Sequence, residues 1–312
     1  MKTQPLGASE LQVTSLAYGC MRISGTWNPA EFTPAHEEKG RQALHSAYEA
    51  GFTLFDHADI YGRTLCESIH GRLLAESPEL KSKTIIATKC GIQFPGSPNP
   101  DSPHRYDFSK QHIIDSAEAS RERLQVDTID LYQLHRPDIL MNPVEVAEAF
   151  QILKDRNIVK NFGVSNFRPS MVDLLNANLE EPLLVNQIEI SLSHLEPFEN
   201  GQLDNCMIHD LTPLAWSPVG GGWIAAELLE PENYTEPNAK LHALIGELAK
   251  KHETSRQNIC FAFLLMHPSR IIPIIGTTQP DRIKDSVNSL NIKLEREDWY
   301  RLYVTAKGEP LP

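Results

Sequence analysis

Eight apolar or β-branched runs, separated by segments with helical spacing, predict a single-domain α/β fold for this 312-residue chain, a (β/α)8 TIM barrel. Parallel strands need crossover connections, and eight strand–helix units can close on themselves. A further observation agrees. Four polar residues with useful chemistry, Asp56, Tyr61, Lys89 and His135, follow the ends of three of the runs, and barrels of this kind carry their active sites at the carboxyl ends of the strands. An open doubly wound sheet is the competing architecture. It is disfavoured because Gly19-Cys20-Met21-Arg22, after the first run, lacks the Gly-x-Gly-x-x-Gly phosphate turn.

The runs are Val13 to Tyr18, Phe52 to Phe55, Ile85 to Thr88, Ile129 to Leu134, Val159 to Val164, Leu183 to Ile188, Leu211 to Trp216 and Ile271 to Ile275. Intervening segments repeat apolar residues at helical spacing, as in Ile113, Ala117 and Leu124, with Ser109 placed to cap that helix. Two stretches are expected as long loops on the catalytic side. Gly91 to Phe108 is so dense in proline, glycine and asparagine that regular structure is excluded, and Pro218 to Pro237 contains Gly220-Gly221-Gly222. These loops, with Met21, Arg22 and Trp27, are expected to shape the substrate pocket. Arg296 to Ala306 leaves little chain to fold over the barrel mouth.

Composition narrows the function. Hydrophobic residues at 41% and charged residues at 22% fit a folded globular chain. The balance of 29 basic to 41 acidic residues, net −12, with no dense Lys/Arg run, argues against nucleic acid as a partner. A phosphorylated cofactor then needs a local basic or amide-rich pocket. No signal peptide or membrane span of about 20 apolar residues is seen, so a cytoplasmic protein is expected. Five scattered cysteines without a Cys-x-x-Cys pair are expected to be reduced. No feature marks a large interface, and a monomer is expected.

The four strand-end residues form a coherent acid–base set. A tyrosine hydroxyl, with an ordinary pKa of about 10, serves as a general acid when a neighbour eases formation of the phenolate. Lys89 is placed to do this for Tyr61, Asp56 to hold Lys89 charged and oriented, and His135 to hydrogen-bond a substrate oxygen. Taken singly, each has a bland explanation: a packed aromatic, a surface charge, a strand-end cap, a satisfied buried histidine. The coincidence of all four at strand ends favours catalysis.

The motifs Phe55-Asp56-His57-Ala58-Asp59-Ile60-Tyr61-Gly62, Thr88-Lys89, Leu134-His135-Arg136-Pro137 and Gly163-Val164-Ser165-Asn166-Phe167 resemble, in this order, those of an aldo-keto reductase. The resemblance spans Leu6-Gly7 to Arg282. It implies one barrel over residues 1–312, with a short N-terminal hairpin capping the barrel floor. It also implies reduction of an aldehyde or ketone by hydride from NADPH, with NADH use possible, and Tyr61 as proton donor. Ser165, Asn166 and Gln187 match residues that hold the nicotinamide carboxamide, Trp216 the aromatic on which the ring stacks, and Ser217, Pro218, Val219 and Gly220 the loop over the pyrophosphate. Gly276, Thr277, Thr278 and Arg282 match the segment at the adenosine 2′-phosphate. Here Gly276 stands where relatives carry lysine, and Ser286 where an asparagine meets the adenine.

Bland alternatives accompany these matches too: helix capping by Ser165 and Asn166, core packing by Trp216, a surface role for Arg282. Two other functions compete. One is a regulatory subunit that binds the cofactor with little turnover. The other is a metal-dependent barrel hydrolase using Asp56, His57, Asp59 and His135, which is weakened by the absence of a His-x-His pair after the first strand.

Overall fold

The computed structural model describes residues 1–312, and eight parallel strands close into a barrel. The chain begins with an antiparallel hairpin, β1 (Thr3–Pro5) and β2 (Gln12–Thr14), followed by the barrel strands β3 (Ala17–Gly19), β4 (Leu54–Asp56) and β5 (Ile85–Cys90). A second small hairpin, β6 (Ile92–Gln93) and β7 (Arg105–Tyr106), precedes β8 (Ile129–Leu134), β9 (Val159–Ser165), β10 (Val185–Glu189), β11 (Thr212–Trp216) and β12 (Ile272–Ile275). Around the barrel the order is β3-β4-β5-β8-β9-β10-β11-β12, and β12 returns to β3 through Ile274 opposite Ala17.

The helices are α1 (Pro34–Ala50), α2 (Leu65–Glu76), α3 (Pro78–Lys83), α4 (Lys110–Leu124), α5 (Pro143–Asp155), α6 (Pro169–Asn176), α7 (Gln202–Ile208), α8 (Glu236–Lys251), α9 (Arg256–Leu265), α10 (Pro280–Ser286) and α11 (Arg296–Lys307). Their ends are written locally. Thr33 and His36 form a reciprocal capping box at α1, where Pro34 occupies the first turn, and the helix stops at Gly51 with φ 89°. Asn142 caps α5 by accepting from the Val144 N–H, and Thr235 caps α8 by accepting from Asn238. None of these helices is long and apolar enough to cross a membrane.

The core lies in layers. Inside the barrel, Leu54, Ala87, Leu131, Val185 and Leu214 meet Leu6 and Val13, so apolar residues of the first hairpin and its turn close the inner floor. Outside, a larger cluster joins the strands to the helices from α1 to α6, and another lies under α8, α9 and α11. Each large apolar side chain so buried contributes about 1.5–3 kcal/mol, which leaves the polar upper rim as the chemically unusual layer.

Three expectations need correction. Val13 to Tyr18 is not one strand. The Thr14 hydroxyl donates to Leu16 O at 2.8 Å and turns the chain, so its first part pairs with β1 and Ala17–Gly19 enters the barrel. The excursion from Gly91 to Phe108 does contain regular structure, because Ile92 pairs with Tyr106 and Gln93 with Arg105 despite the prolines between them. Ser109 stands at the start of α4 but does not cap it; its hydroxyl donates to Asp107 Oδ1 at 2.7 Å. All five cysteines are buried and unpaired.

Candidate active site

Asp56 is the last residue of β4, Lys89 lies within β5, and His135 follows β8, whose Leu134 is opposite Cys90 of β5. Tyr61 sits in the tight turn after β4, which continues through Gly62 at φ 56°. There an added Cβ would approach Ser24 Oγ to 2.5 Å, so the turn beside Tyr61 requires glycine. These placements bring together side chains separated by up to 79 residues, the span from Asp56 to His135.

Lys89 is the hub. It is fully buried, and its Nζ stands 2.8 and 2.9 Å from the two oxygens of Asp56, 2.7 Å from His57 O and 3.1 Å from Tyr61 Oη. Three ammonium protons thus meet three acceptor groups. Burial alone would lower the lysine pKa, but the charge of Asp56 and the phenol of Tyr61 outweigh it and push it up, so Lys89 stays cationic. Burial pushes Tyr61 above its ordinary range, while Lys89, the strongest opposing influence, pulls it back. Lys89 eases ionisation as expected, although burial wins overall. Burial, helped by the charges of Lys89 and Arg136, pushes His135 well below its usual value and keeps the imidazole neutral. Its ring meets Tyr61 edge-on at 5.8 Å between centroids, and its Nδ1 has no hydrogen-bond partner.

A second group lies over β9, β10 and β11. Ser165 Oγ donates to Gln187 O at 2.9 Å, Asn166 Nδ2 donates to Ser165 Oγ at 2.8 Å, and Trp216 Nε1 donates to Asn166 Oδ1 at 2.9 Å. Ser165 and Asn166 therefore do not cap a helix; α6 starts later, at Pro169. The buried Gln187 Nε2 is left without a partner. An orphaned amide donor on the strand next to that of Trp216 fits a nicotinamide carboxamide. Ser217 and Gly220 take left-handed φ values of 51° and 56°, with Pro218 and Val219 between them, and an added Cβ on Gly220 would meet Ser193 Oγ at 2.4 Å. Beyond β12, Gly276 faces open space, Thr277 O accepts from Tyr18 Oη at 3.1 Å, and Thr278 leads to α10. Arg282, exposed in the first turn of α10, has no carboxylate partner and remains available to an anion. Ser286 differs: it is fully buried, and its hydroxyl donates to Ile283 O at 2.6 Å.

The family model for the aldo/keto reductase family matches residues 15–304. The chain belongs to the aldo/keto reductase family. It is 36% identical over 306 residues to the uncharacterized oxidoreductase YcsN of Bacillus subtilis (strain 168), covering 98% of each chain. To a 6-dehydroglucose reductase of Novosphingobium aromaticivorans it is 37% identical over 313 residues, covering 98% of this chain and 96% of that one. Among solved structures, a glycerol dehydrogenase from Gluconobacter oxydans shares the fold at a TM-score of 0.86 and 22% identity, covering 99% of this chain and 97% of that one. As an aldo/keto reductase, the chain is an oxidoreductase that uses a nicotinamide coenzyme in carbonyl chemistry on a small molecule.

The four residues of the metal-hydrolase alternative do not form a ligand set. Asp56 is engaged by Lys89, and the His57 ring turns to His70 at 2.8 Å. Sequence reasoning passed over several polar groups. Glu67, on α2, is fully buried and accepts from Thr88 Oγ1 at 2.5 Å and Arg123 Nε at 2.7 Å, behind the strand that carries Lys89. Burial and then Glu67 push the neighbouring Asp59 up to about 8. Arg136 Cζ stacks 5.1 Å from the centre of the Trp216 ring and makes no ion pair. The signal for Glu67 and His70 was present: both interrupt the apolar face of α2 made by Cys66, Ile69, Leu73 and Leu74.

Proposed function

We propose that this aldo/keto reductase reduces aldehydes or ketones to alcohols with NADPH, and that Tyr61 delivers the proton to the carbonyl oxygen. The observation that carries this reading is the buried Lys89 hub, which joins the Tyr61 hydroxyl at 3.1 Å to the Asp56 carboxylate. A bound reduced nicotinamide supplies the hydride for the carbonyl carbon. Tyr61 Oη gives its proton to the oxygen as negative charge develops there, and Lys89 stabilises the tyrosinate that remains. Asp56 keeps Lys89 charged and aimed. His135, neutral and with a ring nitrogen free, hydrogen-bonds the substrate oxygen and orients it. Gln187, Ser165 and Asn166 hold the carboxamide, Trp216 flanks the ring, and the backbone from Ser217 to Gly220 approaches the phosphates. Arg282, with Thr277 and Thr278, selects the 2′-phosphate, since a guanidinium not engaged in an ion pair is available to that anion.

The substrate class proposed is a polyhydroxylated carbonyl compound. A cavity of about 640 Å³ adjoins Asn166 and Trp216, the groups assigned to the nicotinamide, and its further lining by Arg136, Glu189, Asn200 and Gln202 offers groups that pair with hydroxyls rather than with alkyl chains. The similarity to a 6-dehydroglucose reductase supports the same reading. The test is NADPH consumption against a panel of sugar aldehydes, simple aldehydes and ketones, with NADH in parallel. Turnover fastest on hydroxylated substrates is expected. Tight NADPH binding without turnover on any compound would instead favour a regulatory subunit.

A further inference from the structure

His57 and His70 have no part in the proton transfer, yet both are fully buried and joined in a chain of hydrogen bonds. His57 Nε2 lies 2.8 Å from His70 Nδ1, His70 Nε2 lies 2.7 Å from Tyr48 Oη, Tyr48 Oη lies 2.6 Å from Thr84 Oγ1, and Thr84 Oγ1 lies 2.7 Å from Leu80 O. The last contact fixes the direction of all the others. A carbonyl only accepts, so Thr84 donates to Leu80 O and must accept from Tyr48. The single Tyr48 proton is then committed, and Tyr48 accepts from the His70 Nε2–H. Burial pushes His70 down to about 3, so it is neutral, and its bare Nδ1 accepts from the His57 Nε2–H. His57, also held neutral by burial, is left with a bare Nδ1. That atom is the one found buried without a partner.

Cys20 lies near the same two histidines, with one candidate ligand atom from each of the three inside a 4.8 Å group. A metal centre does not follow. Two nitrogens on a tetrahedral zinc, each about 2.0–2.1 Å from the ion, stand about 3.3 Å apart, whereas this pair stands at 2.8 Å and both nitrogens of His70 are already in hydrogen bonds.

The chain ends at the catalytic hub. The His57 backbone carbonyl accepts from Lys89 Nζ at 2.7 Å, and the His57 side chain is tied through His70 of α2 and Tyr48 of α1 to Thr84 just before β5. The rings of Tyr48 and His70 also grip Phe55, next to Asp56, at centroid distances of 4.5 and 5.0 Å. We propose that His70, Tyr48 and Thr84 are positioning residues for the proton donor: they lock His57, whose carbonyl sets Lys89 against Tyr61. This rests on the reading of Tyr61 as the proton donor. The titratable and charged groups around Tyr61 are Lys89, Asp56, His135 and Arg136, and of these the chain reaches Lys89 through the His57 carbonyl and the end of β4 through Phe55.

The test uses Tyr48→Phe, His70→Asn and His70→Ala, measured by kcat, NADPH Kd, melting temperature and ultraviolet titration of the Tyr61 phenol, taken as the difference from the same protein carrying Tyr61→Phe. Tyr48→Phe is expected to lower kcat about tenfold, the effect of one lost buried hydrogen bond, with NADPH Kd unchanged. The Tyr61 titration should move to higher pH as Lys89 loosens. His70→Asn, which keeps an acceptor at the Nδ1 position, should recover more activity than His70→Ala. Lower melting temperatures with unchanged kcat and an unchanged Tyr61 titration would overturn the proposal and leave a packing role alone. A shifted Tyr61 titration in an enzyme whose turnover tolerates Tyr61→Phe would uphold the positioning chain while overturning the proton-donor reading.

Discussion

Lys89 has its ammonium protons directed at Asp56, His57 O and Tyr61, and this saturation makes the site sensitive to single atoms. In the first turn of α10, Arg282 is exposed and makes no ion pair, and it is proposed to meet the cofactor phosphate. Arg282→Ala should raise KM for NADPH by about tenfold or more, in line with a charge-assisted contact of about 1.5–3 kcal/mol, and leave KM for NADH nearly unchanged. Equal effects on both cofactors would show that Arg282 does not read the 2′-phosphate. Asp59 makes a different prediction. Its folded pKa of about 8 lies above the unfolded value, so its proton is held more tightly in the folded chain. The resulting stability is complete below about pH 4 and is lost as the pH rises through 8. Asp59→Asn should therefore gain in melting temperature on the parent between about pH 5 and 9; parallel curves would contradict this. The placement of Asp56, Tyr61, Lys89 and His135 at or near strand ends was legible because apolar runs mark those ends. Their energetics were not, since the upward push on Tyr61 comes from packing by residues distant in sequence.

Among the elements, strands were easier to place than their edges. β5, β8 and β12 follow their β-branched runs closely, whereas β4 is displaced toward Asp56 because it pairs from Leu54 to Asp56 with Ile85 to Ala87 of β5. Register is settled between strands, and a single run carries little of that information. Helix faces hold the other lesson. α2 packs so closely on the end of α4 that a Cβ at Gly71 would come within 2.0 Å of Arg123 O, and Arg123 is also the partner of Glu67. Gly71→Ala should therefore force α2 away from α4 and cost about 1–3 kcal/mol, read as a fall in melting temperature. A melting temperature equal to or above the parent would mean that the helices adjust freely.

The whole molecule separates support from chemistry. The hairpin turn residue Leu6 closes the inner floor, apolar clusters fix the strands to the helices, and polar groups gather at the carboxyl rim. The alternation of strand and helix made this architecture legible from sequence. The position of Arg136 over Trp216 was not, because it depends on side chains from two different strand ends. Ligand binding should register globally: NADPH at about 100 times its Kd stabilises the folded state by about 2.7 kcal/mol, and NADH at the same concentration should give a smaller rise in melting temperature. The most direct measurement compares the parent enzyme with Tyr61→Phe, recording kcat for reduction of a hydroxylated aldehyde and NADPH Kd on the same preparations. A fall in kcat of about 10²–10⁴-fold with NADPH Kd preserved is the predicted result. Near-parental turnover by Tyr61→Phe would contradict the assignment of Tyr61 as proton donor.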